Sequence, residues 1–279
     1  MRPIAIPPDI RKLWESNAIP QKDTIALIQS SYKALQKGAT EVSVVIPAYN
    51  EEKNILRTLL SLSSNTTDRP VEIIVVNNNS TDNTESLVKA TGINCIIETK
   101  QGITAARNAG LGIAKGKYVL NADADSIYPA DWIDAMVSPL INNDSVSITY
   151  GRFAFIPTGS TTRFSYFFYE RMADAMRWVN KKFREEAVNV YGFNSGFRRE
   201  QGIAVDGYDH PPGTNEDGWL AVKLRDNGFG KLHCVNDTKA MVWTADRRIE
   251  MDGGLWKALL LRFKRVLFPS KEIVIRKDL

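Results

Sequence analysis

The stretch VSVVIPAYNEE, residues 42–52, decides the fold of this chain. It opens with a largely β-branched apolar run that stops at Pro47, which is typical of a buried parallel strand. Its second half is polar and leads into residues 53–62, where apolar side chains recur at helical spacing. A strand that ends in a polar loop and continues into a helix is the repeating unit of α/β proteins.

The same unit recurs further along the chain. Strands are predicted at residues 71–76, 94–97 and 118–120, and helices at residues 84–90 and 104–114. This alternation predicts an α/β fold with a mostly parallel, Rossmann-like sheet flanked by helices. Ligands of such sheets bind beyond the carboxyl ends of the strands. The polar runs 49–52, 77–84 and 121–126 all fall at such ends, so we expect them to share one site.

The rest of the chain is organised differently. After residue 145 the predicted elements are a strand at 147–155, an aromatic helix at 164–179, a helix at 216–227, strands at 231–235 and 241–244, and a basic helix at 255–268. Before residue 41, helices are predicted at 9–15 and 23–37, with Asp23 as the N-cap of the second. We therefore divide the chain into a helical extension (1–40), a main domain (41–250) and a basic helix with its tail (251–279).

Composition narrows the class of protein. The 279 residues carry a formal net charge of only +4 and no concentrated basic stripe, which argues against a nucleic-acid partner. Two cysteines, Cys95 and Cys234, are too few for a disulfide framework and fit a reduced interior. No apolar run reaches the roughly 18 residues of a spanning helix, and residues 1–9 hold no apolar signal core. These features predict a cytoplasmic protein; they do not predict an oligomeric state.

The pair Asp123 and Asp125 follows a predicted strand directly. Two carboxylates one residue apart repel each other unless a cation lies nearby, and hard oxygen ligands suit Mg²⁺ or Mn²⁺ that bridges to phosphates. The alternative is that an acidic turn caps the next helix. Asp131 is better placed for that role.

Two further polar clusters offer nucleotide contacts. Tyr49 presents a flat face for a nucleobase, and Glu51 an acceptor for ribose hydroxyls; alternatively, the acids of this run only stabilise the start of a helix. The run NNNSTD, residues 77–82, holds more hydrogen-bonding side chains than one turn requires.

Taken together, these motifs resemble glycosyltransferase family 2. The resemblance rests on the runs 42–52, 73–84 and 102–126, the last containing Ala106-Arg107-Asn108-Ala109-Gly110, and on Gly192-Phe193-Asn194-Ser195-Gly196, Gly207-Tyr208-Asp209 and Glu216-Asp217. It covers roughly residues 41–250. Membership implies a GT-A fold, a nucleotide-sugar donor and inversion at the anomeric carbon. Residues 41–126 would then form the nucleotide-sugar-binding half and residues 127–250 the acceptor half.

The resemblance also implies roles for residues of the donor site. Ala48, Tyr49 and Glu51 are expected to contact the nucleoside. Asn78 stands where relatives often carry an aspartate that faces the base; its amide oxygen can accept an N–H from uracil or guanine, so UDP- and GDP-linked donors both remain open.

A second group of expected roles concerns the diphosphate and the metal. The resemblance implies that Arg107 lies near the diphosphate or braces Asp123. It further implies that Asp123 faces the ribose at the metal site and that Asp125 ligates Mn²⁺ or Mg²⁺. Arg247 and Arg248 are expected to clamp the diphosphate, although paired arginines are also common on solvated surfaces.

The acidic pair Glu216-Asp217 is expected to supply the remaining chemistry. An inverting transfer needs a base on the face opposite the leaving diphosphate. The resemblance makes Asp217 that base, and Glu216 a support for the acceptor or its loop. From the residues alone, an acidic pair after Thr214 would only cap a helix. Of the two histidines, His210 is a candidate for the acceptor pocket; His233 is a weaker candidate metal ligand, since its neighbours indicate an ordinary strand.

Residues 255–268 combine an apolar face with four basic residues and no acid, the profile of a helix at an anionic membrane surface. The alternative is a C-terminal helix docked on the domain. For the aromatic residues 164–178 we expect core or dimer contact rather than membrane.

The sequence thus predicts an inverting, metal-dependent glycosyltransferase that uses a sugar or lipid-linked hydroxyl acceptor in glycan, polysaccharide or glycolipid synthesis. The alternatives are a sugar nucleotidyltransferase and a non-catalytic nucleotide-sugar-binding subunit. No Gly-x-Gly-x-x-Gly turn follows the first strand and no Walker loop is present, which argues against dehydrogenases and P-loop enzymes.

Overall fold

A seven-stranded sheet lies at the centre of the computed structural model, which describes residues 2–251, 253–255, 257 and 260. The strands are β1 (Val42–Ala48), β2 (Val71–Asn77), β3 (Asn94–Ile97), β4 (Tyr118–Asn121), β5 (Ser126–Ile127), β6 (Val146–Gly151), β7 (Phe153–Ile156), β8 (Ser195–Arg198), β9 (Lys231–Val235) and β10 (Val242–Ala245). The large sheet has the order β3-β2-β1-β4-β8-β6-β9, and only β8 runs antiparallel to its neighbours. A small sheet has the order β5-β10-β7.

Helices cover both faces of the large sheet. They are α1 (Pro8–Trp14), α2 (Gln21–Leu35), α3 (Ile55–Ser63), α4 (Thr84–Ala90), α5 (Ile103–Ile113), α6 (Trp132–Asn142), α7 (Arg163–Phe183), α8 (Arg199–Ala204), α9 (Glu216–Asp226) and α10 (Arg247–Met251). Short 3₁₀ turns lie at Glu15–Ala18, Glu186–Asn189 and Thr238–Ala240. None of the helices within the described ranges is long and apolar enough to cross a membrane.

The apolar run of β1 is explained by burial on both faces. Val44 and Ile46 point into a core shared with α3 and α6, whereas Val45 points into a second core shared with α5 and α9. All three side chains are at most 1% exposed. A central parallel strand with helices on either side favours apolar residues on both of its faces, and this burial confirms the predicted α/β sheet.

The N-terminal extension packs onto the same core. Ile28 and Leu35 of α2 are buried in the cluster that contains α3, and the Tyr32 hydroxyl accepts a hydrogen bond from the backbone N–H of Ile73 at 3.2 Å. The predicted cap is wrong: α2 begins at Gln21 after Pro20, so Asp23 lies within its first turn. Proline suits this position because it lacks the N–H that a helix start leaves unpaired.

One predicted strand is in fact two. Instead of a single strand over 147–155, β6 belongs to the large sheet and β7 to the small one, with Arg152 between them. The chain changes sheet here because Asn194 holds the junction: its side-chain Nδ2 donates to the carbonyl of Arg152 at 2.8 Å. The predicted helix at 255–268 lies almost entirely outside the described residues.

Candidate active site

The first two polar loops meet at the carboxyl edge of the sheet, as predicted. Parallel pairing places Ala48 of β1 beside Asn77 of β2. The loops that follow bind each other directly: the Thr81 N–H donates to Asn50 Oδ1 at 2.8 Å, and the Glu52 N–H donates to Asp82 Oδ2 at 3.0 Å. The two segments therefore form one ordered rim beside the third loop, which follows β4.

On the side of this rim where the nucleoside is expected, some residues are exposed and others are buried. Tyr49 is 46% exposed and is free to stack on a ligand, whereas Ala48 is buried beneath it. Asn78 is buried, and its amide is used within the protein: Nδ2 donates to the carbonyls of Glu98 and Lys100, and Oδ1 accepts from the N–H of Gly102, each at 2.8 Å. Asn78 thus shapes the 98–102 loop, and base recognition through it stays a prediction that depends on the second lone pair of Oδ1.

The turn of Asp123 and Asp125 is held by a set of buried hydroxyls. Thr58 Oγ1 lies 2.9 Å from the carbonyls of both Ala124 and Ser126, and the Asp123 N–H donates to the Tyr128 hydroxyl at 2.8 Å. The carboxylates themselves remain partly exposed, by 25% for Asp123 and 19% for Asp125. A buried scaffold with accessible carboxylates is the arrangement that a ligand-bridged cation requires.

The residues present fit a divalent metal. Asp125 Oδ2 already attracts a cationic group, the Arg247 guanidinium, at 3.1 Å, and the same nitrogen lies 2.9 Å from Glu51 Oε1. Among the residues for which a structure is given, no three His, Cys, Asp or Glu side chains converge on one point. The described residues therefore offer at most two carboxylates at this turn, and a diphosphate with water would complete the shell, as is usual for Mg²⁺. The side chain of Arg248 lies outside the described part of the chain.

Arg107 of α5 connects the donor edge to the predicted base. It is 1% exposed, with Nη2 3.3 Å from Asp123 Oδ1, Nη1 3.1 Å from Asp217 Oδ1, and Nε 3.8 Å from Glu216 Oε1. Nη1 also donates to the carbonyl of Gly192 at 2.9 Å. The expected bracing of Asp123 by Arg107 is seen in these contacts. The contact with Asp217 was not foreseen, because no local pattern links residues so far apart in sequence.

The glycine at position 192 follows from this packing. A Cβ at that position would overlap the guanidinium of Arg107, so only glycine lets the guanidinium reach its three carboxylates. The turn that carries Gly192, just before β8, therefore leaves room for this cluster of Arg107, Asp123, Glu216 and Asp217, which we call the Arg107 centre.

Burial dominates the electrostatics of this centre. Burial alone would lower the pKa of Arg107, but the charges of Asp217, Asp123 and Glu216 raise it, so the guanidinium stays charged. Burial raises the pKa of Asp217 well above its usual value; Arg107 opposes this rise, and the charges of Glu216 and Asp123 add to it. A carboxyl group with a raised pKa is better suited to accept a proton near neutral pH than an exposed aspartate is.

The acidic pair does not serve as the helix cap. Asn215 is the N-cap of α9, and its side-chain oxygen accepts from the Gly218 N–H at 2.7 Å. Glu216 and Asp217 are nevertheless 8% and 4% exposed, turned towards Arg107 instead of solvent. The capping interpretation, which the sequence left open, therefore fails to explain their placement.

The two histidines differ in position. His210 Nε2 lies 3.1 Å from Thr104 Oγ1, which ties the loop before α9 to α5 near the Arg107 centre. His233 lies on β9, and β8 and β6 separate that edge strand from β4. The weak hypothesis that His233 binds the metal is therefore wrong.

Sequence reasoning missed a chain of contacts behind Glu51. The guanidinium carbon of Arg57 lies 3.6 Å from the ring centroid of Trp14, Arg57 donates to Asn54, and Asn54 donates to Glu51 Oε2. Burial lowers the pKa of Arg57 to about 10, although the charges of Asp125 and Glu51 oppose the shift. The only sequence signal was an arginine inside the apolar helix α3, which periodicity alone does not interpret.

Solved structures share this architecture. Glucosyl-3-phosphoglycerate synthase from Mycobacterium tuberculosis, in complex with Mn²⁺ and UDP-glucose, superposes with a TM-score of 0.52 over 78% of this chain and 73% of its own. The sequence identity is 21%, so the likeness concerns the fold. It confirms the predicted GT-A arrangement, a mostly parallel sheet between layers of helices.

Curated relatives are glycosyltransferases. The probable glycosyltransferase YdaM of Bacillus subtilis is 30% identical over 237 residues, which is 79% of this chain and 53% of that protein. An uncharacterized glycosyltransferase of Haemophilus influenzae is 38% identical over 112 residues, 38% of this chain and 34% of its own. The chondroitin synthase of Pasteurella multocida is 30% identical over 178 residues, 60% of this chain and 18% of that protein. The chain thus spans at most about half the length of these relatives.

The model of the family described as Glycosyl transferase family 2 matches residues 43–201. This match runs from the second residue of β1 through β8 and includes the Asp123 turn and Arg107. Because it covers more than half of the chain, this chain belongs to glycosyl transferase family 2.

Proposed function

We propose that this chain is an inverting glycosyltransferase in which Asp217 is the catalytic base and Asp125, with Asp123, holds a divalent metal beside a nucleotide-diphosphate sugar. The observation that carries the proposal is the Arg107 centre. A single buried guanidinium contacts Asp123 at the donor edge and Asp217 at the start of α9. It supports a geometry in which donor and base lie on two sides of one point, as an inverting displacement needs.

The donor would bind along the rim of the sheet. Tyr49 would stack on the nucleobase. Glu51 would accept hydrogen bonds from the ribose hydroxyls once Arg247 turns from Glu51 towards the diphosphate. Arg247 is 45% exposed at its side chain, so this movement displaces little protein. The metal, when bound, would stabilise negative charge on the leaving diphosphate. Relatives solved with Mn²⁺ and UDP-glucose support a UDP-linked donor and Mn²⁺, and the residues also suit Mg²⁺ and GDP.

The transfer itself would depend on Asp217. Its Oδ1 is buried without an aligned hydrogen bond, although Arg107 lies 3.1 Å away, so it retains capacity to accept a proton. The acceptor hydroxyl would give its proton to Asp217 while its oxygen bonds to the anomeric carbon. The bond from that carbon to the diphosphate oxygen would break on the opposite face, and the configuration would invert. Glu216 would orient the acceptor or its loop.

The acceptor would be a sugar or a lipid-linked hydroxyl compound, in glycan, polysaccharide or glycolipid synthesis. Similarity to a chondroitin synthase supports polysaccharide synthesis as the setting. A peripheral membrane contact through residues 255–268 would give access to lipid-linked acceptors. Two alternatives predict other products: a sugar nucleotidyltransferase would consume a nucleoside triphosphate and release diphosphate, and a binding subunit would turn nothing over.

The test is nucleotide binding with and without metal. UDP and GDP should each be titrated by calorimetry in the presence of Mn²⁺, Mg²⁺ or chelator, and at least one should bind in a metal-dependent way. Asp125→Ala should abolish the metal dependence and keep the melting temperature, whereas the control Asp131→Ala should behave like the parent. Equal nucleotide binding with metal and with chelator would refute the metal assignment. Product analysis by NMR would then decide between inversion, retention and diphosphate release.

A further inference from the structure

The helix α7 has an apolar outer face that the described part of the protein does not cover. The sequence predicted core or dimer contact for its aromatic residues, and the core expectation holds only for the inner face, where Tyr166 and Tyr169 are buried. Phe164, Phe168 and Trp178 are 58%, 55% and 57% exposed. Isolated exposed apolar residues are ordinary, but a row of them on one helix marks an interaction surface.

These residues form a continuous strip. Phe164, Phe168, Met172 and Ala175 follow one another at helical spacing, and Trp178 extends the row by one turn. The rings of Phe164 and Phe168 are in contact, with centroids 4.8 Å apart, and Trp178 contacts Phe183 at 5.6 Å. At 1.5 Å per residue, the strip from Phe164 to Trp178, which we call the α7 face, extends about 21 Å along the 21-residue helix α7.

The charges of α7 are divided between its two sides. Its only two acids, Glu170 and Asp174, lie on the inner side: Arg163 binds Glu170 at 2.8 Å, and Arg2 binds Asp174 at 2.9 Å. Beside the aromatic row, the charged residues of α7 are Arg171 and Lys182, both exposed, whereas Lys181 lies to one side and is paired with Glu186 at 3.1 Å. Glu170 Oε1 also accepts a hydrogen bond from the Phe155 N–H of β7 at 2.7 Å, which holds this side of α7 against the small sheet and leaves the other side facing outwards.

We propose that the α7 face is a docking surface for an anionic lipid bilayer, on which α7 lies parallel to the membrane plane with its aromatic side chains among the headgroups. Phenylalanine and tryptophan beside lysine and arginine are the composition of helices that bind at this interface. Anionic lipid complements the basic border of the face, and α7 is a different segment of the chain from the predicted membrane helix at residues 255–268.

Two other occupants match the charge of this face less well. Residues 261–279 of the chain hold six basic and two acidic residues, so their packing on α7 would place like charges together. A second copy of the chain would bring the same basic border against itself. Only a negatively charged surface neutralises the cations and also covers the aromatic rings.

The experiment is sedimentation of the full chain with vesicles of phosphatidylcholine and phosphatidylglycerol in equal amounts, and with phosphatidylcholine alone. The protein should sediment with the anionic vesicles and be released in about 1 M salt, where charges are screened within about 3 Å. Phe168→Ser should lower the partition coefficient about tenfold or more, because one phenylalanine no longer leaves water. The control Leu27→Ser removes an apolar side chain that is 46% exposed on α2 and should leave partitioning unchanged.

A second measurement separates α7 from the C-terminal segment. Lipids brominated in their chains should quench the part of the tryptophan fluorescence that comes from Trp178. Trp178→Phe, which keeps an apolar ring, should therefore show less quenching than the parent. If quenching is equal in the parent and in Trp178→Phe, or if vesicles bind Phe168→Ser as they bind the parent, the proposal is wrong. It is also overturned if the parent is a dimer in light scattering that Phe168→Ser dissociates. None of these results depends on nucleotide binding.

Discussion

Replacing Asp217 with asparagine should separate activity from stability, whereas replacing Arg107 with glutamine should damage both. The side chains of Arg107 and Asp217 are 2% and 5% exposed, and their charged atoms are 3.1 Å apart. Removing Arg107 leaves three carboxylates, including Asp123 and Glu216, without their shared cation. Breaking a buried ion pair in this way costs about 3–5 kcal/mol of the free energy of unfolding.

The same reasoning gives a different result for Asp217→Asn. Burial already penalises the charged form of this carboxyl group, and Arg107 retains Asp123 and Glu216 as partners. An amide of the same shape should therefore lower the free energy of unfolding by at most about 1 kcal/mol, and it could raise it. Turnover should still fall by roughly 10² or more, because the amide cannot take the acceptor's proton.

The pH dependence of stability gives an independent check on this prediction. The folded-state pKa of Asp217 lies above its unfolded-state value, so its protonation stabilises the folded protein at low pH. That stabilisation is lost as the pH rises through the folded-state pKa. Asp217→Asn lacks this loss, and its stability relative to the parent should therefore increase with pH.

The assay is urea unfolding of the parent, Asp217→Asn and Arg107→Gln at several pH values, together with initial rates. Asp226→Asn, an exposed aspartate at the end of α9, is the matched control. If Arg107→Gln does not fold, Arg107→Lys, which keeps the charge, should fold with a smaller loss. The reasoning is refuted if Asp217→Asn destabilises the protein as strongly as Arg107→Gln does. Asp217 would then be a structural counter-ion, and Glu216 would be the next candidate base.

Three further predictions concern the same site. Gly192→Ala should cost about 1–3 kcal/mol of stability and lower turnover, because its Cβ would displace the buried guanidinium of Arg107; an unchanged urea midpoint would show that the loop yields. Arg247→Gln should tighten Mn²⁺ binding in the absence of nucleotide by about threefold, since a cation that competes for Asp125 is gone, and should weaken UDP binding in calorimetry; changes of the same sign would contradict this. The rate, measured at saturating Mn²⁺ so that metal occupancy stays constant, should fall on the acid side at a pH above the ordinary aspartate range, because Asp217 must first lose its proton; a flat profile there would argue against this base.

Much of the donor half could be predicted because its signals are local. The apolar run of β1 and its polar end lie within eleven consecutive residues, and the next unit repeats the pattern at β2. Parallel strands joined by helices bring their carboxyl ends to one edge, so the strand ends alone assign Tyr49, Glu51 and Asp125 to one place. Where residues connect distant elements, local patterns carried less information, as the sheet change at Arg152 shows.

The sequence by itself determined the α/β class, the succession of the first strands and helices along the chain, and the residue types at the sheet edge. It could do so because periodicity and strand ends depend on neighbours along the chain. Only the tertiary structure decided which residues form ion pairs and which side chains are buried or exposed. It pairs Arg107 with Asp217, uses the amide of Asn78 to hold a loop, and turns the acids of α7 inwards so that Phe168 and Trp178 face outwards. The physical reason is that burial and contact between distant segments set the pKa of a group and the exposure of a side chain, and neither follows from sequence neighbours alone.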